Sequence, residues 1–146
     1  MDTDLKKPIW TCNYRVIYAD TDAAGVVYYG NYLKFFEIGR TEYLRGFLNI
    51  AYRDLEKQGL LFPVTESYCR YKSPARYDDK LTIFTSLTKI SKVSLNFTYE
   101  IREQSEDKLL VIGCTRHAAV NPSGKLSPMP SDFITDIKNL IGQTKK

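Results

Sequence analysis

NYLKFFEIGRTEYLRG, residues 31–46, is the stretch on which the reading of the fold turns. Tyr32, Leu33, Phe35, Phe36, Tyr43 and Leu44 recur at helical spacing and make one wide apolar face. Lys34, Glu37, Arg40, Glu42 and Arg45 decorate the polar side. The pattern predicts a helix that stops at Gly46 and is largely enclosed, because so much aromatic surface needs cover. A shorter helix is expected over residues 51–58, ended by Gly59.

Downstream of these helices the period changes to two. Residues 62–77 read as one long strand with Pro74 interrupting near its end. Leu81, Ile83, Thr85 and Leu87 alternate with more polar neighbours, as do Leu95, Phe97, Tyr99 and Ile101. Leu110, Ile112, Cys114, Ala118 and Val120 form a further set, joined to the previous one through the polar hairpin loop EQSEDK. Upstream, WTCNYRVIY (10–18) is rich in aromatic and β-branched residues and reads as a first strand. Near the end, SPMPSDFITDIKNLIG predicts a terminal helix with Ser131 as its N-cap. The order is strand, long helix, four strands, terminal helix. It implies an α+β domain in which a long antiparallel sheet wraps around a central helix, with residues 1–146 forming a single domain.

Composition narrows the function. A net charge of +4 is mild and its lysines and arginines are scattered, so no nucleic-acid stripe exists, although an anionic ligand would be favoured. Cys12, Cys69 and Cys114 are odd in number and lack CxxC spacing, which points to reduced core thiols rather than a zinc site or disulfides. The N-terminus has no apolar signal region, and no run is long enough to span a membrane. A cytoplasmic protein without membrane insertion is expected. Eleven tyrosines against one tryptophan suit half-buried surfaces, either pockets or subunit interfaces.

Chemistry concentrates in YADTDAAGVVYYGNY, residues 18–32. Asp20 and Asp22 are good turn formers. Equally, one of them can be a reactive carboxylate held where a strand runs into a helix, with helix-terminal N–H groups as an oxyanion site. Spacing does not choose between the two acids.

This motif, with the Phe-Phe-Glu-x-x-Arg-Thr-Glu stretch at 35–42, resembles the signature of hot-dog-fold acyl-CoA thioesterases. It is similar to the 4-hydroxybenzoyl-CoA type and to the relatives encoded with the Tol-Pal envelope system. YKSPARYDD (71–79) and VSLNFTYEI (93–101) resemble the same family, so the likeness runs over roughly residues 10–137. The resemblance implies a hot-dog fold and hydrolysis of an acyl-CoA thioester. It implies Asp22 as the catalytic carboxylate, acting as nucleophile through an acyl-enzyme anhydride or as general base for water. It places the backbone N–H of Tyr29 at the oxyanion position. The Tol-Pal relatives carry a histidine where this chain has Tyr29, and here the chain follows the 4-hydroxybenzoyl-CoA type instead. Tyr18 matches a tyrosine near the site of the histidine-bearing group, or simply packs on its strand. Glu37 is the rival carboxylate, because another hot-dog group uses a helix glutamate.

For the substrate, Tyr28, Tyr29 and Phe62 are the expected aromatic lining, suited to an aryl or a short or medium aliphatic acyl group. Lys89, Lys92 and Ser94 fall where the family contacts coenzyme A phosphates, with Arg70, Lys72 and Arg76 as further candidates. The lone histidine, His117, reads as a surface or interface residue. No metal or cofactor is expected, since coenzyme A is part of the substrate. The resemblance implies a homodimer as the minimum and a homotetramer as the expected state, since hot-dog domains pair their sheets and often pair again; an isolated sheet of this length would otherwise leave an open edge. The alternative is a non-catalytic or weakly catalytic scaffold that binds an acyl carrier protein or another partner.

Overall fold

A computed structural model describes residues 2–142 of the chain. Strand β1 (Trp10–Arg15) leads through a 3-10 turn (Tyr18–Asp20) to helix α1 (Asn31–Leu48) and a short helix α2 (Tyr52–Lys57). Strands β2 (Val64–Tyr71), β3 (Lys80–Ile90), β4 (Ser94–Glu103) and β5 (Lys108–Ala118) follow, then helix α3 (Ser131–Gly142). The five strands form one antiparallel sheet in the order β1-β3-β4-β5-β2. The chain therefore leaves one edge of the sheet, crosses its face as α1, and returns as the strand at the opposite edge.

The apolar stripe of α1 drives this arrangement. Phe35, Phe36, Tyr43 and Leu44 have no exposed surface, and they meet Leu81 and Ile83 of β3 and Phe97, Tyr99 and Ile101 of β4. Phe36 stacks on Tyr99 with ring centroids 4.2 Å apart. Burying each such side chain stabilises the fold by about 1.5–3 kcal/mol. The helix lies close on the sheet because Gly39 faces β3: a Cβ there would sit 2.2 Å from Thr85 Oγ1.

Four local readings are corrected. Gly46 does not end α1, which runs on to Leu48 and is capped by Asn49 in a left-handed conformation (φ 56°). Gly46 is needed for packing, since a Cβ there would lie 2.3 Å from the Trp10 ring, which also meets Phe47 edge-on at 5.1 Å. The strand predicted over 62–77 is only Val64–Tyr71, because the Lys72 and Ser73 N–H groups both turn onto the Leu110 carbonyl and Pro74, which has no N–H, follows. Likewise the first strand stops at Arg15, and Tyr18 belongs to the 3-10 turn. Ser131 is the first residue of α3 rather than its cap, because the Ile134 N–H already bonds the Pro130 carbonyl. No helix among the described residues is long and apolar enough to cross a membrane.

Candidate active site

The loop between β1 and α1 is closed on itself before the helix begins. Asp22 N–H donates to the Val26 carbonyl at 2.9 Å and Gly25 N–H to the Asp22 carbonyl at 3.0 Å. Gly25 sits at φ +80°, a conformation that a side chain would strain. The Asp22 side chain accepts the Ala24 N–H at 2.9 Å, an Asx turn that leaves its second oxygen without a partner among the described residues. The turn is exposed. Thr21 pairs with Val27 across its base, and the Tyr28 N–H donates to the Asp20 carbonyl at 2.8 Å.

Beyond this base the chain enters α1 through Tyr29 and Gly30. Among the described residues no acceptor is bonded to the Tyr29 N–H, one of the free donors that the start of a helix presents. The segment after β2 clamps the same stretch. Val27 N–H donates to Ala75 O at 2.9 Å, the Ala75 N–H donates to Tyr32 Oη at 3.3 Å, and Tyr71 Oη–H donates to Tyr29 O at 3.2 Å. Between the two segments lies a cleft of about 280 Å³ lined by Val27, Tyr29, Tyr32, Tyr71, Lys72, Ser73 and Pro74. Burial holds the phenols of Tyr32 and Tyr71 protonated by raising both above the usual tyrosine value. The cleft is thus a largely apolar aromatic slot whose one charged wall residue is Lys72.

Asp20 is not the surface turn residue its neighbours suggest. It has no exposed surface, and its carboxylate accepts the Tyr14 hydroxyl (2.8 Å), the Ile17 N–H (3.0 Å) and the Lys34 ammonium (2.5 Å). Burial would raise its pKa, but the Ile17 N–H, Lys34 and Tyr14 outweigh that and hold it below the ordinary carboxylate value. For Lys34 the same contest ends with its pKa raised, since Asp20 more than offsets burial.

The other candidates disperse. Tyr28 lies against Tyr29, ring centroids 4.7 Å apart, outside the wall of the cleft. Tyr18 is 72% exposed and stacks flat on Tyr77 at 3.7 Å. Glu37 lies six residues into α1, about 9 Å along its axis from Asn31. Its side chain is 68% exposed, with the Arg40 guanidinium 3.9 Å away. Phe62 packs on Tyr52 and Phe133, away from the cleft. Lys89, Lys92 and Ser94 surround the β3–β4 turn, about 30 Å along β3 from Lys80, next to which the motif loop lies. Within one chain the structure does not bring them to the cleft. It does bring Lys72 there, whereas Arg70 and Arg76 are not on the wall.

His117 is corrected outright: it is 1% exposed. Its Nδ1 lies 3.2 Å from the Phe62 carbonyl, which can only accept, so Nδ1 carries the proton. Nε2 then accepts from Thr115, whose hydroxyl in turn accepts from Tyr99 at 2.7 Å. Burial, aided by the nearby Arg40 charge, takes its pKa down to about 4. Cys114 is buried, but Cys12 and Cys69 are only partly so, and all three are free. Burial raises the Cys12 thiol to about 11 and raises those of Cys69 and Cys114 as well, so none is an activated nucleophile. Among the described residues no group of three or more His, Cys, Asp or Glu could hold a metal ion. The residues that sequence reasoning missed are Val27, Tyr32, Tyr71, Ser73 and Pro74. Tyr71, Ser73 and Pro74 lie in YKSPARYDD, and that family-like stretch was the available signal.

Comparison with known proteins identifies relatives over most of the chain. Residues 16–137 match the model of the thioesterase-like superfamily. The acyl-CoA thioester hydrolase YbgC of Escherichia coli is 36% identical over 126 residues, covering 85% of this chain and 92% of that protein. A 1,4-dihydroxy-2-naphthoyl-CoA hydrolase of Thermosynechococcus vestitus is 30% identical over 126 residues, 85% of each chain. Among solved structures, the DHNA-CoA thioesterase of Staphylococcus aureus superposes with a TM-score of 0.86 at 28% identity, over 94% of this chain and 96% of that one.

Proposed function

This chain belongs to the thioesterase-like superfamily as an acyl-CoA thioester hydrolase of the hot-dog fold, and on that premise we propose that Asp22 carries its chemistry. The observation that supports this most is the junction itself. An exposed carboxylate with one free oxygen stands on a turn whose base is hydrogen-bonded to the entry of α1, where the Tyr29 N–H is unpaired, beside an apolar cleft.

The acyl group occupies the aromatic slot between Tyr29, Tyr32 and Tyr71. As the thioester carbonyl is attacked its oxygen gains negative charge, and the Tyr29 N–H at the positive end of α1 donates a hydrogen bond to it. Asp22 attacks the carbonyl carbon directly, forming a mixed anhydride and expelling the coenzyme A thiolate, or removes a proton from a water that attacks. In both routes water supplies the oxygen of the released acid and the thiolate leaves as free thiol after protonation. Lys72 on the cleft wall meets the anionic part of the substrate. The assembly proposed with this reading is a homodimer or larger, since β2 ends the sheet with nearly every residue exposed. Light scattering measures that directly.

The test of the activity is thiol release from a panel of aryl and aliphatic acyl-CoAs, with Asp22→Asn beside the wild-type protein. Turnover by the wild type and its loss in the variant are expected. An Asp22→Asn protein as fast as the wild type would overturn the assignment.

A further inference from the structure

We propose that Asp20 is a positioning residue, which through Tyr14 and Lys34 holds the Asp22 turn in register with the Tyr29 N–H. The inference rests on the reading of Asp22 given above.

Taking a carboxylate fully out of water costs several kcal/mol unless its partners are well placed. A turn needs no such burial, as Asp22 shows two residues later. The partners of Asp20 come from three separate elements. Tyr14 belongs to β1, Ile17 precedes the 3-10 turn, and Lys34 lies in the first turn of α1. The backbone of the same residue reaches further. Its carbonyl accepts the Tyr28 N–H and the Asn31 side-chain amide, each at 2.8 Å. One residue therefore ties the strand before the Asp22 turn, both sides of the turn's base, and the start of the helix.

The Asp22 turn is tied to the rest of the fold on its other side by backbone alone, where Val26 bridges to Arg76 and the Val27 N–H bonds the Ala75 carbonyl at 2.9 Å. The bonds of its exposed portion are the local ones from Asp22 to Val26, from Gly25 to Asp22 and from Ala24 to the Asp22 side chain. Its position relative to α1 is set where Thr21 pairs with Val27 and Tyr28 bonds Asp20. Small displacements there move the carboxylate relative to the helix N-terminus, and a shift of about 1 Å can lower a rate about 100-fold. Asp20→Asn keeps the shape but replaces one acceptor oxygen with a donor and leaves Lys34 without its counter-charge.

The experiment measures kcat and KM for Asp20→Asn, Tyr14→Phe, Lys34→Met and Lys34→Arg, each well below its own melting temperature. Asp20→Asn should lower kcat about 10- to 100-fold with KM within about threefold. Lys34→Met should lower kcat about fivefold and Lys34→Arg should stay within about twofold of wild type, because it keeps the charge. In an Asp22→Asn background the same Asp20→Asn change should alter the residual rate by less than about twofold, since the two act as a unit. If Asp20→Asn does not fold, the Lys34 pair and Tyr14→Phe carry the test. Wild-type kcat in the folded variants overturns this inference while leaving an inactive Asp22→Asn, and hence the proposed function, intact. A fully active Asp22→Asn would instead remove the premise.

Discussion

Two sets of hydrogen-bonded polar side chains, each built on one buried titratable group, Asp20 and His117, contrast in charge and in what they join. Asp20, Lys34 and Tyr14 form a charged set at the entry of α1 that binds a loop to a strand and a helix. Tyr99, Thr115 and His117 form a neutral chain on β4 and β5 that ends on the Phe62 carbonyl. The second passes its hydrogen bonds along one line, with the Arg40 guanidinium of α1 close to Tyr99 and His117, and it joins strands that the ladder already holds together. Its histidine is the residue type most often suspected of catalysis, yet nothing about it touches the cleft. Burial of a titratable group therefore does not mark the site here. The site proposed above has instead a carboxylate left free on a loop, with a second, buried carboxylate two residues before it.

The strongest test of that contrast is Asp22→Asn, which should lower kcat by about 10³-fold, within the range for loss of a general acid or base. Steady-state thiol release reads it, and a loss under about tenfold would place the reactive group elsewhere. Next comes acid stability. His117 stays neutral in the folded chain down to about pH 4, whereas an unfolded histidine protonates near 6.5. The unfolded state thus binds more protons between those values, so stability is full above about 6.5 and falls as pH drops toward 4, by about 3 kcal/mol in all. Thermal melts between pH 7 and 4 should show this slope, and His117→Gln should flatten it without lowering kcat at pH 7. If that variant folds and loses activity, the two groups are not separate in role. Asp20, with its lowered pKa, contributes stability present above the ordinary carboxylate value and lost only as pH falls below it. Asp20→Asn melts should therefore differ in shape from His117→Gln melts, diverging in the more acidic window. The smallest effect belongs to Tyr71→Phe, which removes one hydrogen bond to the Tyr29 carbonyl. A cost of about 1 kcal/mol, or about a fivefold lower kcat/KM, is expected, and an unchanged value would detach Tyr71 from the site.

Much of this architecture can be read from periodicity. The switch from helical spacing in residues 31–46 to alternation after residue 80 reports α1 and strands β3 to β5 directly, because each face is either core or not. The end of α1 could not be read that way. Gly46 has the composition of a stop, but it is a landing for Trp10, thirty-six positions earlier in the chain. The two aspartates failed to separate for a related reason. Both have turn chemistry, and only Tyr14 and Lys34, brought in by folding, show which one is buried. His117 was misjudged because its neighbour Arg116 suggested a surface, while its partners Thr115 and Phe62 are set by strand pairing and by the α2–β2 connection. The cleft was legible in part. Its tyrosines stand in two family-like stretches, but nothing local says that 27–32 and 71–74 face each other.

The packing of Trp10 on Gly46 has a spectroscopic consequence. Trp10 is the chain's only indole, and it sits at the end of β1 away from the motif, about 17 Å along the strand from Arg15. Its emission therefore senses whether the far end of α1 is seated on β1 and not whether the cleft is filled. A tryptophan signal that changes on heating but stays silent on ligand addition is the natural optical behaviour of this molecule. Occupancy of the cleft has to be followed through the tyrosines that line it.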